Sequence, residues 1–228
     1  MQTHQPTGSS PNHNDEGKLA TLIRNGHRLA LFAIICTALI AITDYYTRAV
    51  IARQAERQLQ STLSQMLPAG SYDNNLALSC VQLQNKPYLG DEKSHPLYIA
   101  KQGDRISGYV IESIAPAGYS GAIRLLTAVS VDGKVQRVQV MEHHETPGLG
   151  DKLDRKKSNW IDSFNQQSLQ SADDKRWAVR KDGGMFDAFT GATITPRAVV
   201  KGVKQVLLLL REHPELLTDA QACPSPAA

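Results

Sequence analysis

No stretch of this chain interleaves basic residues with aromatics, and a formal charge of +3 over 228 residues is nearly balanced. A nucleic-acid surface needs a basic footprint, so the sequence gives no reason to invoke one. No glycine-rich dinucleotide fingerprint appears, so NADH is not expected to bind this chain. No Ser-His-Asp arrangement or nucleophile elbow is recognisable, and a hydrolase reading therefore has no nucleophile. Internal repeats are not evident. Cysteine is scarce, at three residues, and aromatics make up 6%. Long apolar runs are missing too, with one exception near the N-terminus.

That exception is Leu29–Thr43, LALFAIICTALIAIT, which carries no charge for 15 residues. A bilayer span needs about 20 residues at roughly 1.5 Å rise each. Extension to His27 and Tyr46 reaches that length, with Arg28 able to snorkel at one end and Asp44, Tyr45 and Tyr46 at the other interface. Lys18, Arg24 and Arg28 precede the span. Positive-inside bias then places the N-terminus in the cytoplasm and the rest of the chain outside it. An uncleaved signal-anchor is the reading; a cleaved signal peptide is the rival, since the apolar core also fits an h-region. Against the rival, the preceding region is long and no small-x-small site follows. Residues 1–17 are polar and rich in turn formers, and disorder is expected there.

Apolar content of 41% and charged content of 21% suit a folded globular part. The expected organisation is a cytoplasmic polar tail (1–26), a transmembrane helix (27–47), a juxtamembrane helix and linker (48–70), a folded domain (71–217) and a C-terminal tail (218–228). Ile51, Ala55, Leu59, Leu63 and Met66 form the apolar stripe of the juxtamembrane helix, which Pro68-Ala69-Gly70 ends. Residues 71–96 read as irregular. Leu97–Lys101 and Ile106–Ile114 read as strands with Gly103-Asp104 as the turn between them. Ile123–Val131 and Val135–Met141 are two more, joined by Asp132-Gly133 as a tight hairpin, with a bulge expected at Gln136-Arg137. Short local connections argue for an antiparallel sheet, hence an α+β domain with packed helices. Residues 155–164 suggest a short helix, Trp177–Val179 another strand, and Pro196–His213 an amphipathic helix with Val199, Val203, Val206 and Leu210 on one face. In that helix Thr195 is the expected N-cap, Pro196 the first helical residue and Pro214 the stop.

Cys36 falls within the span, where it packs as a small apolar side chain. Cys80 and Cys223 both lie in the exported part. An even pair in an oxidising compartment points to a disulfide, with two free thiols as the alternative.

Two loops carry candidate chemistry. Asp187-Ala188-Phe189-Thr190-Gly191-Ala192-Thr193 sits immediately ahead of the last helix. A helix start offers free N–H groups and a positive dipole end, a seat for a phosphate. Gly191 lets the backbone approach that phosphate closely. The bland reading is a turn with a solvated Thr193. The second loop is Glu145-Thr146-Pro147-Gly148-Leu149-Gly150, where Leu149 offers apolar contact and backbone amides could meet the polar edge of a flat ring.

Together these motifs carry a resemblance. Asp187–Thr193 resembles the flavinylation signature Asp-x-x-(Ser/Thr)-Gly-Ala-Thr. With Tyr119-Ser120-Gly121-Ala122-Ile123, His143–Lys152, Asp187–Pro196 and the single N-terminal span, residues 20–213 resemble the G subunit of the Rnf/Rsx ion-translocating electron-transport complex. They are more distantly similar to the C subunit of the sodium-pumping NADH:quinone reductase. The resemblance implies an FMN-binding domain and a redox subunit of an oxidoreductase complex, without stand-alone catalysis. It implies FMN attached covalently through phosphate to Thr193, installed from FAD with Mg²⁺ by a separate flavin transferase that reads Asp187. Thr190, Gly191 and Ala192 would line the phosphate, and Glu145, Thr146, Gly148, Leu149 and Gly150 would lie along the ring. Trp160 is a candidate packing partner of the ring, with a core tryptophan as its plainer reading. The implied setting is the bacterial inner membrane, with the main domain periplasmic and other membrane subunits as partners. An extracytoplasmic binding or assembly subunit without a redox role is the alternative.

Several conspicuous residues take ordinary readings. His143 and His144 are adjacent and point opposite ways on an extended chain, a poor metal pair, so no metal site is assigned. Lys152, Arg155, Lys156 and Lys157 suit a solvated face, with docking of a partner subunit as the alternative.

Overall fold

The computed structural model describes residues 13–217 and 220–223. The chain divides into two units, residues 1–55 and 56–228. The first helix, α1, runs unbroken from His13 to Met66. No proline occurs in that range, so nothing in the sequence removes a rung of the hydrogen-bond ladder. Residues 13–17 are therefore helical rather than irregular, while residues 1–12 lie outside the described residues. Ile23–Arg48 is the one stretch among the described residues long and apolar enough to cross a membrane, and none of it is buried within the chain.

The second unit is built on a six-stranded antiparallel sheet. Its strands are β1 (Cys80–Leu83), β2 (His95–Gln102), β3 (Arg105–Ala115), β4 (Ile123–Ser130), β5 (Val135–Glu142) and β6 (Gln221–Ala222). Their order is β5-β4-β3-β2-β1-β6. The β2–β3 hairpin turns at Gly103-Asp104 as expected. The β4–β5 hairpin is wider than a two-residue turn, since β4 ends at Ser130 and β5 starts at Val135. Ser130 accepts from the Gly133 N–H and donates its own to Lys134 O, which closes the turn. Register slips between Ala128 and Val129, opposite Arg137 and Val135, so Gln136 is the bulged residue.

Two strands and one α-helix were not legible in sequence. β1 and a one-turn helix, α2 (Lys86–Leu89), lie in the stretch read as irregular, and β6 lies in the C-terminal tail. β1 and β6 are too short to show an alternation. They are fixed by pairing with each other and with β2, and by the Cys80–Cys223 disulfide, whose Cα atoms are 5.3 Å apart. Trp177–Val179 forms no strand; Val179 makes only an isolated parallel bridge to Phe186. Residues 155–164 shrink to a single 3₁₀ turn over Trp160–Phe164.

Both faces of the sheet are covered. In β3 the adjacent residues Val110 and Ile111 are each wholly buried, in different clusters. Successive strand residues point to opposite faces, so one strand feeds two cores. On one face Val110, Leu126 and Ala128 meet Leu63 and Met66 from the end of α1. On the other, Ile111, Leu125 and Val129 meet the last helix, α3 (Ile194–Glu212), through Val199, Val203 and Val206. Each such side chain contributes about 1.5–3 kcal/mol of burial. A Cβ on Gly202 would stand 3.2 Å from Ala115 Cβ, so a glycine there lets α3 seat closely on β3. That close seat fixes where α3 begins, and hence the site.

Candidate functional site

Helix α3 begins at Ile194, two residues earlier than its proline suggests. Thr193, rather than Thr195, occupies the N-cap, and its side chain makes no capping hydrogen bond. Thr195 lies within the first turn, fully buried, and its hydroxyl donates to Glu145 Oε2 at 2.5 Å. Pro196 follows in the first turn, where its missing N–H costs no helical bond. The expectation of Thr195 as cap fails because a buried carboxylate competes for its hydroxyl and wins.

Glu145 ties three segments together. It is 5% exposed. Its Oε1 accepts the Ser120 N–H at 3.2 Å, and its Oε2 accepts the Thr195 hydroxyl. The Glu145 N–H donates to His143 Nδ1 at 3.2 Å, which gives that histidine a local role in the loop. The loop then folds back on itself: Thr146 O accepts from the N–H groups of Leu149, Gly150 and Asp151, and Asp151 Oδ1 accepts the Gly148 N–H at 2.8 Å. Gly150 sits where a Cβ would fall 2.6 Å from Glu145 Oε2 and 2.9 Å from Thr195 Oγ1. Any side chain at that position would push the carboxylate off its partners.

The motif loop is a β-turn. Ala192 donates to Phe189 O at 3.1 Å, and Gly191 takes φ +81°, a conformation a side chain resists. Its base is held by Trp160, whose Nε1–H donates to Asp187 O at 2.8 Å and whose ring meets Phe189 edge-on at 4.9 Å between centroids. Trp160 thus supports the loop rather than lining the cavity. Two exposed ion pairs flank the loop, Arg180 with Asp187 at 2.8 Å and Arg197 with Asp182 at 2.6 Å. The Arg197 guanidinium holds the Asp182 carboxyl below the usual carboxylate range.

The two loops meet over a cavity of about 280 Å³. Glu145, Thr146, Leu149 and Gly150 line it from one side, and Gly191, Ala192 and Thr193 from the other. Thr190, Gly148 and Asp187 are exposed and stand outside the lining. Tyr119, Ile194 and Thr195 complete the wall. In sequence Ile194 and Thr195 read as an ordinary helix start, which hides them as site residues. Tyr119 belongs to the Tyr119–Ile123 motif, whose spacing in sequence does not tie it to either loop. Tyr119, Leu149 and Ile194 are 66%, 43% and 45% exposed, so the cavity mouth is apolar and open.

These residues fit FMN. The first N–H groups of α3, a 19-residue helix, have no partners within the helix and open next to Thr193. A phosphate there meets the positive end of the helix, a contact of about 0.3–1 kcal/mol at an exposed site. The apolar mouth suits the face of a flat ring. At about 280 Å³ the cavity lies at the small end of ligand pockets, ~300–1,000 Å³. It is too shallow to retain a flavin by enclosure.

Comparison with known proteins agrees with this geometry. Residues 118–208, which contain both loops and most of α3, match the FMN-binding domain family. Residues 18–66 match the RnfG N-terminal region. The G subunit of the ion-translocating oxidoreductase complex of Aliivibrio fischeri is 48% identical over 199 residues, covering 87% of this chain and 95% of the relative. The corresponding subunit of Yersinia pestis is 47% identical over 205 residues, 90% of this chain and 98% of the relative. That of Shewanella loihica is 44% identical over 202 residues, 89% and 95%. Identity at this level over nearly the whole of each relative, with the FMN-binding domain falling on the cavity, means that the chain belongs to the family of G subunits of the ion-translocating oxidoreductase complex.

Proposed function

We propose that Thr193 carries FMN through a phosphoester bond, and that the chain serves as an electron carrier within a membrane complex coupling electron transfer to ion translocation. The observation that carries this reading is the state of Thr193. It occupies the N-cap of α3 and lines the cavity, yet its hydroxyl makes no capping bond. An esterified phosphate at that oxygen takes over the N-cap's role toward the helix N–H groups. FMN, when bound, supplies one- or two-electron redox chemistry. The chain's residues position it: Glu145 ties its own loop to the start of α3, Leu149 and Tyr119 offer apolar surface to the ring, and the covalent bond provides retention that a shallow cavity cannot.

Attachment comes from a separate flavin transferase using FAD and Mg²⁺. The Thr193 hydroxyl loses its proton, its oxygen forms the bond to the FMN phosphorus, the pyrophosphate of FAD breaks, and AMP leaves. Asp187 is exposed on the motif loop, where a second protein can read it. The N-terminus lies in the cytoplasm and the FMN-binding domain in the periplasm, with the span in the inner membrane. Arg24 and Arg28, at the N-terminal end of the Ile23–Arg48 span, support that orientation, as does the Cys80–Cys223 disulfide, which persists in an oxidising compartment. The span holds no charged residue near its centre, so ion movement itself belongs to partner subunits.

Thr193→Ala, expressed in a host with the transferase, folds, reaches the membrane and shows no flavin fluorescence after denaturing electrophoresis. Mass spectrometry of the wild-type peptide spanning Asp187–Arg197 finds one FMN joined with loss of water at Thr193. Flavin retained by the denatured variant would sink the assignment. Unimpaired electron transfer by a complex containing the flavin-free variant would favour a binding or assembly role instead.

A further inference from the structure

The flavin cavity uses one end of the sheet; a second cleft, about 720 Å³, lies along its β5 edge and shares no lining residue with it. Seven consecutive residues, Arg137–His143, line this cleft. A strand whose every residue lines one cleft presents its backbone to that cleft, since its side chains alternate between faces. The order β5-β4-β3-β2-β1-β6 makes β5 a terminal strand. Val135 exchanges backbone bonds with Gln166 and Gln167 at 2.7 and 2.9 Å, which closes the first residue of the edge. Beyond it, among the described residues, no backbone group of β5 bonds to anything except β4.

An edge guarded only against misassembly is short, bulged along its length or covered. β5 has eight residues, with one bulge near its start at Gln136 and a second near its end at Met141, so Arg137–Val140 is the regular part of the edge. What flanks the open part is a pair of walls. One is a polar stripe of α1, Gln58, Thr62 and Gln65, beside the apolar stripe that packs on the sheet. The other carries Arg155 and Lys156. The charges of the cleft are unbalanced in a particular way. Its acids are engaged: Glu142 pairs with Arg124 at 3.1 Å, and Asp154 Oδ1 accepts the Lys156 N–H at 2.9 Å. Arg155 is paired with Asp162. Among the described residues, the Arg137 guanidinium and the Lys156 ammonium have no side-chain partner. The cleft therefore offers a ladder of backbone donors and acceptors with two free cations beside it.

We propose that the β5 edge is a docking site for an extended, acidic segment of a partner polypeptide, which adds to the sheet as a seventh strand and pairs its carboxylates with Arg137 and Lys156. Backbone bonds supply the affinity in this mode and side-chain charge selects the partner.

The test uses the full-length flavin-bearing protein in detergent and a fluorescent ten-residue peptide alternating glutamate and valine, with a lysine and valine counterpart. Anisotropy titration should show the glutamate peptide binding at least tenfold more tightly. Arg137→Glu combined with Lys156→Glu should reverse that preference, and Lys156→Glu alone, on an exposed side chain, should reduce it. An unchanged circular dichroism spectrum and thermal melt certify that each variant is folded. A ¹³C-carbonyl label in the bound peptide should give an extended-strand amide I band. No binding of the glutamate peptide, a preference that survives charge reversal, or a bound peptide without the strand band overturns the proposal. So does displacement of the peptide by phosphatidylglycerol vesicles, which assigns the cations to lipid. A Gln139→Cys cross-link between two copies of the chain that the peptide does not compete with assigns the edge to self-association, and also overturns it.

Discussion

Two helices of this chain are rich in aliphatic residues and treat their polar groups in opposite ways. Within Ile23–Arg48 the side-chain hydrogen bonds all close inside the helix. Thr37, Thr43 and Thr47 each donate to the carbonyl four residues back at 2.8 Å, and Asp44 pairs with Arg48 one turn on. In α3 they close across the fold. Thr195 reaches Glu145, Arg197 reaches Asp182, and Lys204 Nζ donates to Asp174 O at 3.0 Å. A helix surrounded by hydrocarbon has no partner outside itself, so only local bonds serve it. A helix seated on a sheet can spend its polar groups on positioning loops. Apolar content alone would not separate the two; the reach of the polar side chains does.

The widest break in this comparison comes from placing a charge on each helix. Val203 is wholly buried, so Val203→Asp leaves an unpaired carboxylate in the core, at a cost of at least ~4 kcal/mol. Thermal melts followed by circular dichroism should show the domain's transition lost. Ile34→Asp, on an exposed side chain outside the domain's core, should leave that transition in place and instead weaken retention in carbonate-washed membranes.

A smaller change exploits the threonines. Thr195→Val removes one partner of the buried Glu145 carboxylate and should cost about 2 kcal/mol in a urea melt, with a change in the flavin absorption spectrum because the two loops lose their common anchor. Thr37→Val, which deletes only a bond within its own helix, should leave both unchanged. Equal effects from the two valines would erase the distinction.

The third concerns the turn that Lys204 holds. Asp174 is buried and bonded to the Arg176 guanidinium through both oxygens, at 3.0 and 2.7 Å. That guanidinium, with the N–H groups of Gln170 and Arg176, holds its carboxyl well below the usual carboxylate range. A depressed folded-state pKa contributes stability that is present above the unfolded value of about 3.9 and is lost as pH falls toward the folded one. Asp174→Asn should therefore cost about 1.5 kcal/mol at neutral pH, near the low end because Arg176 is partly exposed, and progressively less in acid. Urea midpoints measured across pH check this. A deficit that does not shrink on acidification would show that packing, not charge, is what Asp174 supplies.

Much of the domain was legible because its central elements advertise themselves locally. β3 and β4 alternate or run apolar over their whole length, the β2–β3 turn carries Gly103-Asp104, and α3 repeats valine and leucine at helical spacing. The Gln136 bulge showed as a break in alternation. β1, α2 and β6 were invisible for the complementary reason, since four-residue and two-residue elements are held by neighbours rather than by propensity. In the site, the residues with unusual backbone needs stood out. Thr195 and Ile194 did not, because in sequence a buried hydroxyl and an exposed isoleucine look like any other helix start.

The sequence by itself determined that an apolar helix precedes a domain with an antiparallel sheet, and that a Thr-Gly-Ala-Thr turn leads into a helix. These follow from patterning within a dozen residues. Tertiary structure alone decided that Thr193 rather than Thr195 is the N-cap, with its hydroxyl left unengaged. That outcome depends on Glu145, fifty residues away, arriving beside Thr195 with Gly150 leaving room for its carboxylate. A hydroxyl takes the strongest acceptor within reach, and only the fold determines what is within reach.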